Sequence, residues 1–395
     1  MNKTRFVFPI LLLLTFLVSC KSIADQPPAP TSIPLANPQT GLIDPSHPVI
    51  APDHPISLPE GFGITVFNNK LTDPRMMAFG PDQQLYVSEP SSGRVLRLPD
   101  RDLDGIADSV EVAAEGFLNP TGIAFHQDGS LYVAETTRVF RLTDPDGDGF
   151  FQDRETIVAG IAAGGHTNRS IIFSPDWKHF YLAIGSSCNV CREQDQRRGS
   201  VMRFKADGSE GRIFSQGLRH VIGMAFRPDI DILWAAVMER EGLENSLPPE
   251  TIYAIYIDAD GGWPACHAGR IIDPDFGRKN ACHDDLLTPQ FELESQSAPY
   301  GLVFYTADQF PEEYQKDVFV ALHGTGVGQS AKGFKIIRIP LGEGDSGLVQ
   351  DFAVGWLGDD GTPLGRPTDL VVGPDGSLYV SDDSQGVIYR IFYSK

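Results

Sequence analysis

From Met77 onward, short apolar runs alternate with turn-forming residues in a phrase that recurs six times. It consists of a small or apolar strand, a turn built on Pro-Asp or Asp-Gly, and an aromatic-rich strand. Met77-Ala78-Phe79 runs through Pro81-Asp82 into Leu85-Tyr86-Val87, and Ile123-Ala124-Phe125 through Asp128-Gly129 into Leu131-Tyr132-Val133. Ile171-Ile172-Phe173 and Met224-Ala225-Phe226 lead through Pro175-Asp176 and Pro228-Asp229 to Phe180-Tyr181-Leu182 and Leu233-Trp234-Ala235. Leu302-Val303-Phe304 reaches Val318-Phe319-Val320 by a longer link, and Leu370-Val371-Val372 reaches Leu378-Tyr379-Val380 through Pro374-Asp375-Gly376. After most copies a third strand alternates apolar and basic residues, as in Arg94-Val95-Leu96-Arg97-Leu98 and Val387-Ile388-Tyr389-Arg390-Ile391.

Each unit is an antiparallel meander that cannot bury both faces alone, so the units must stack radially. The pattern predicts an all-β, six-bladed β-propeller of four-stranded antiparallel blades over residues 58–395. The last copy stops after its third strand, which predicts that Ile64-Thr65-Val66-Phe67 supplies the missing outer strand and closes the ring. An insertion at about 258–297 is expected between blades four and five.

The 40 Gly and 30 Pro suit many tight turns and argue against a mostly helical chain. A net charge of -20 repels phosphate backbones and anionic headgroups, which excludes nucleic acid as a partner and leaves a lipid anchor as the only membrane contact. That anchor is suggested at the start of the chain. Lys3 and Arg5 precede an apolar run, Phe6 to Val18, too short to span a bilayer. Residues 1–19 read as an export signal, and Leu17-Val18-Ser19-Cys20 resembles the bacterial lipoprotein processing box, which implies lipidation at Cys20; a signal without the lipid is the alternative. By the same resemblance Lys21 favours the outer membrane or an outward-facing surface over inner-membrane retention. Nine prolines between Lys21 and Pro55 make residues 20–57 an anchor and extended tether.

Four further cysteines, an even number in an oxidising compartment, read as two local disulfides, Cys188–Cys191 and Cys266–Cys282. A zinc site from Cys266, His267, Cys282 and His283 is the alternative, at a spacing that fits no usual pattern. Two segments match a calcium loop: Asp100, Asp102, Asp104 and Gly105 with Glu111 in twelfth position, and Asp144, Asp146, Asp148 and Gly149 with Glu155. Neither has helical flanks, so a calcium stapling a β-hairpin is the expectation and a metal-free acidic turn the alternative.

Residues just before each innermost strand ring one mouth of a propeller's channel. Aligned on the Pro-Asp turn, those positions hold Arg75, His166, Arg169, Arg219, His220 and Arg366. A cationic ring in an acidic protein suits a ligand bearing several carboxylates or phosphates, and a neutral histidine beside it can act as a general base. The set Gly165-His166-Thr167-Asn168-Arg169, Gly185-Ser186-Ser187-Cys188-Asn189-Val190-Cys191, Gly217-Leu218-Arg219, Gly262-Trp263-Pro264, Ala321-Leu322-His323-Gly324 and Gly365-Arg366-Pro367 resembles the soluble pyrroloquinoline-quinone (PQQ) sugar dehydrogenases, sorbosone dehydrogenase-like branch.

The resemblance implies an extracytoplasmic enzyme that oxidises a sugar or sugar-derived aldehyde by hydride transfer to PQQ and passes electrons to an external acceptor. It implies His166 as base, Arg219 and Arg366 as carboxylate clamps aided by His323, Arg169, His220 and Arg75, and calcium at the loop of Glu239 and Arg240. Three positions depart from the family's pattern: His220 replaces an Asn, His323 a Lys, and Thr368 a second Arg. A non-catalytic propeller binding a carbohydrate or protein, and a calcium-dependent lactonase-like hydrolase, are the alternative readings.

Overall fold

A computed structural model describes residues 50–243, 248–342 and 348–394; the signal, Cys20 and most of the tether lie outside them. It is an all-β, six-bladed propeller. The innermost strands are Met77–Phe79, Gly122–Phe125, Ile171–Phe173, His220–Arg227, Pro299–Phe304 and Pro367–Val372, and each opens an antiparallel meander. The outer strand of blade six is Phe62–Asn68, paired antiparallel with Val387–Tyr393 so that Ile64 faces Ile391 and Val66 faces Tyr389. The ring is therefore closed by the N-terminal strand. Phe62 wedges into the seam, edge-on to Phe310, Phe352 and Tyr393 at 4.8–5.1 Å.

The repeated phrase has an electrostatic reason. The aspartate of the turn between the first two strands pairs with the arginine of the third: Asp82 with Arg97 at 2.8 Å, Asp128 with Arg141 at 2.9 Å and Asp375 with Arg390 at 2.7 Å. In each case the arginine lies directly opposite a tyrosine of the second strand. A second device ends the second strand of blades one, two and six. Buried Glu89, Glu135 and Asp382 accept the backbone N–H of Thr72, Leu118 and Arg366, at 2.8, 2.7 and 2.9 Å, and so fasten the segment leading into their own blade. In blades three, four and five the equivalent positions are Ile184, Val237 and Leu322.

Two features differ from the sequence expectation. The chain joins the propeller before Leu58, since Ser57 bridges Val354 in blade five and the carbonyl oxygen of Ile50 accepts from Val66 N–H. The excursion carrying Cys266 and Cys282 sits within blade four, not after it, because the chain returns as that blade's outer strand, Phe291–Leu293. On its way it adds Ala259–Asp260 to the edge of blade three as a fifth, parallel strand. The inner strands enclose an axial cavity of about 340 Å³, walled by apolar residues such as Met77, Ile123, Ile171 and Leu302, with Ser170 and Asp369 among its few polar groups.

Candidate functional site

His166 stands in the irregular segment before the inner strand of blade three. Its Nδ1 lies 3.0 Å from both the carbonyl oxygen and the hydroxyl of Ser186. A carbonyl oxygen only accepts, so Nδ1 carries the hydrogen and Nε2 keeps its lone pair. Burial, then the charges of Arg219, Arg198 and Arg169, push the imidazole down to about 4, which makes it neutral at pH 7. His220, fully buried, lies beneath it with ring centroids 4.3 Å apart. Burial and His166 lower its basicity further, and its Nδ1 has no partner among the described residues. The two rings fit because residue 185 is glycine: a Cβ there would fall 2.4 Å from His220 Nδ1 and 2.7 Å from His166 Cβ.

The basic residues divide into two kinds. Arg169, expected on the rim, is completely buried and donates to the carbonyl oxygens of Thr136, His166, Asn168 and Ala162. It is a brace for the His166 segment and not a clamp, because its donors are already spent on backbone. Arg198, absent from the sequence expectation, does the same for Gly185, Ala162 and Ala163. Arg219 is intermediate: Nε donates to Asn189 O at 3.0 Å and Nη1 to Met238 O at 3.2 Å, while Nη2 lies 3.7 Å from Glu241.

Across the mouth, Arg75, His323 and Arg366 gather around an acid that sequence reasoning missed. Asp383 accepts from Arg75 Nε at 3.1 Å and from His323 Nε2 at 3.1 Å. Although burial alone would raise it, the His323 hydrogen bond and the charges of Arg75 and Arg366 hold the Asp383 carboxyl below its usual range. Tyr300 stacks on His323 at 4.3 Å and receives Arg75 over its face. Buried Arg75 Nη1 has no partner among the described residues. Arg366 lies 5.6 Å over the ring of Phe334 and forms no ion pair among them. The charge of Arg75 reaches both His220 and His323, which joins the two halves into one site.

The expected metal ligands divide between the interior of blade four and the two acidic loops. Glu239 is buried in blade four, where Oε1 accepts from Thr251 at 2.9 Å and Oε2 sits 3.6 Å from His267. Arg240 is drawn to Asp273 and Asp275. In the two acidic loops Asp100, Asp102 and Asp104, and likewise Asp144, Asp146 and Asp148, bring their oxygens together. Gly105 and Gly149 take φ of 84° and 92° at the sharp turn, a region only glycine enters freely. The terminal acids do not join: Glu111 is held by Arg97 and Arg101 at 2.8 and 2.7 Å, and Glu155 is an exposed outer-strand residue opposite Arg141. Cys188 is bonded to Cys191 and Cys266 to Cys282, while His267 is buried and His283 exposed, so the four-ligand zinc set is not assembled.

Unsatisfied donors on Arg75, the open guanidinium of Arg366 and the part-used Arg219 fit a ligand with several carboxylates, offset in part by Asp383 and Glu241. In sequence and in fold the chain is similar, as a distant relative, to PQQ-dependent sugar dehydrogenases. The chain belongs to the family described as domain of unknown function DUF7133, whose model matches residues 54–390. An uncharacterized protein of Borreliella burgdorferi is 23% identical over 86% of this chain and 91% of its own length. The pyrroloquinoline quinone-dependent pyranose dehydrogenase of Coprinopsis cinerea is 23% identical over 85% of this chain, which spans about half (54%) of that enzyme. The holo PQQ domain of pyranose dehydrogenase from the same organism superposes with TM-score 0.72 at 21% identity, covering 88% of this chain and 99% of that one. The apo soluble aldose sugar dehydrogenase of Escherichia coli gives 0.59 at 20% identity, covering 84% and 99%.

Proposed function

We propose that the protein is a PQQ-dependent dehydrogenase of sugars or sugar-derived aldehydes. The observation that carries this reading is the locked tautomer of His166, whose Nε2 keeps its lone pair and whose basicity is held low by burial and the charges of Arg219, Arg198 and Arg169. Bound PQQ supplies hydride acceptance. The chain supplies the rest. His166 Nε2 takes the proton of the substrate hydroxyl, Arg366 and Arg75 hold carboxylates of the cofactor, and Arg219 lends positive charge to the same side as His166. His220, His323 and Thr368, where the family pattern carries Asn, Lys and Arg, give the site its own selectivity. Electrons leave to an external acceptor.

Calcium is assigned to the two aspartate trios as a structural ion. Two disulfides are consistent with an extracytoplasmic setting, and Cys20 with a lipid anchor to the outer membrane or cell surface. The test is reconstitution with PQQ and calcium followed by quinone titration and dye reduction with a panel of aldoses and aldehydes. Failure to bind quinone overturns the enzyme reading in favour of a propeller that binds a carbohydrate or protein.

A further inference from the structure

Between the strands His179–Ile184 and Ser200–Lys205 of blade three the chain makes no ladder pairs; Ser186 is tied through its backbone to Arg219 and His166, and the residues after it are shaped by side-chain bonds and one covalent tie. That tie, Cys188–Cys191, encloses a four-residue loop whose acceptors serve two functional groups. Ser186 accepts from His166 Nδ1 and passes its own hydroxyl hydrogen to Cys188 O at 2.6 Å. Asn189 O accepts from Arg219 Nε at 3.0 Å and from Trp263 Nε1 at 3.2 Å. The Asn189 side chain is fastened in turn, its amide donating to Glu241 O and its oxygen accepting from Glu241 N, both at 2.9 Å. Ser187 is pinned to Glu193 through its N–H and its hydroxyl, at 2.6 and 2.7 Å.

The carbonyls of Cys188 and Asn189 thus sit inside the disulfide ring; one accepts from the Ser186 hydroxyl that faces His166, and the other holds a buried guanidinium. Without the bridge, the direction of both carbonyls rests on hydrogen bonds alone. Arg219, only 2% exposed, would then keep a buried donor unpaired, an arrangement costly enough to force the loop or the arginine to move. Both cysteines are only half-buried, within reach of a small thiol.

We propose that the Cys188–Cys191 disulfide is a clasp that positions the base His166 and the guanidinium of Arg219 together, and that a dithiol reductant opens it. Opening is a two-electron exchange: the dithiol becomes a disulfide, and Cys188 and Cys191 each take up a proton as thiols. Ser186 and Asn189 act here as positioning residues. The inference rests on the reading of His166 as base, but its structural half does not need the cofactor.

The test compares cofactor-free wild type, wild type treated with a dithiol, and a Cys188→Ser/Cys191→Ser double variant. A Cys266→Ser/Cys282→Ser variant controls for the second bridge, and thiol labelling counts the bonds opened. Nitrogen-15 spectra of the imidazoles report the His166 tautomer. The expected result is a single Nδ1–H form with the bridge closed, a mixture with it open, and recovery on reoxidation of the dithiol-treated protein. Titration with PQQ should show affinity at least tenfold weaker in the open state. An unchanged tautomer and unchanged affinity with the bridge open overturn the proposal. If wild type binds no quinone, the dehydrogenase reading falls, and the tautomer comparison alone decides the clasp. Should the double variant fail to fold, the reversible dithiol cycle on folded wild type separates the same two outcomes.

Discussion

His166 and His220 lie ring against ring, 4.3 Å between centroids, and neither has a carboxylate partner among the described residues. Protonating either would place a cation against the other ring and among Arg219, Arg198, Arg169 and Arg75. Both are therefore neutral across the physiological range. With His166 near 4 in the folded chain and about 6.5 unfolded, the unfolded state binds more protons between those values. Its contribution to stability is full above pH 6.5 and is lost as pH falls toward 4. The acid limb of turnover should likewise fall near pH 4 to 5, and His166→Ala should lower turnover roughly 10²–10⁴-fold with a smaller loss of quinone affinity. A pH–rate profile breaking at 6.5 would remove the base assignment.

Arg366 makes no ion pair among the described residues, so its charge is available to a ligand. Arg366→Ala should weaken quinone binding about 10–100-fold, the worth of one charge-assisted hydrogen bond, while leaving the melting temperature nearly unchanged. Fluorescence titration and calorimetry separate the two effects.

Asp369 is buried at the axial cavity and ties blade six to blade one by accepting Met77 N–H at 2.8 Å. Burial pushes its carboxyl up to about 7. Because the folded state then binds the proton more tightly, its contribution is present below about pH 4 and is lost as pH rises through 7. Asp369→Asn keeps an acceptor for Met77 and cannot ionise. It should flatten the decline in stability between pH 5 and 8 and raise the melting temperature at pH 8 by a few degrees.

Ring closure rests on Phe62–Asn68, and Phe62 is packed by four aromatic rings. Phe62→Ala should cost about 2–4 kcal/mol, measured by denaturant unfolding. Removing the chain through Asn68 should expose the edge of Val387–Tyr393 and promote aggregation, seen by light scattering.

Chelation should lower the melting temperature without quinone present, and Asp100→Asn with Asp144→Asn should abolish that response. Glu111→Gln should preserve it, since Glu111 is bound to arginines and not to the trio. A melting curve indifferent to chelator would leave the loops as metal-free turns.

The blades, the closing strand and the inner-strand triplets were legible because they follow local rules: period-two alternation and turn chemistry repeated in register. His166, Arg219 and Arg366 were found by position relative to those turns, and His323 through the family resemblance of Ala321-Leu322-His323-Gly324. The same rule misplaced Arg169, because distance from a turn says which loop a residue occupies and not whether its side chain points to the mouth or to backbone carbonyls. Asp383 and Ser186 went unseen since each matters only through a partner far along the chain, His323 and His166 respectively. Glu111 and Glu155 satisfied the spacing of a loop that normally ends in a helix; here a strand carries them away.

The carboxylates that fasten entry segments occur in blades one, two and six and are replaced by Ile184, Val237 and Leu322 in blades three, four and five. The wheel is thus pinned at the seam where its two ends meet and left without that pin on the opposite arc. His166, Arg219, His220 and the excursion with Cys266 and Cys282 all belong to the unpinned arc. Loops there can lengthen, shorten or exchange residues without loosening the seam, so what the wheel binds on that side can be retuned at little cost to its closure.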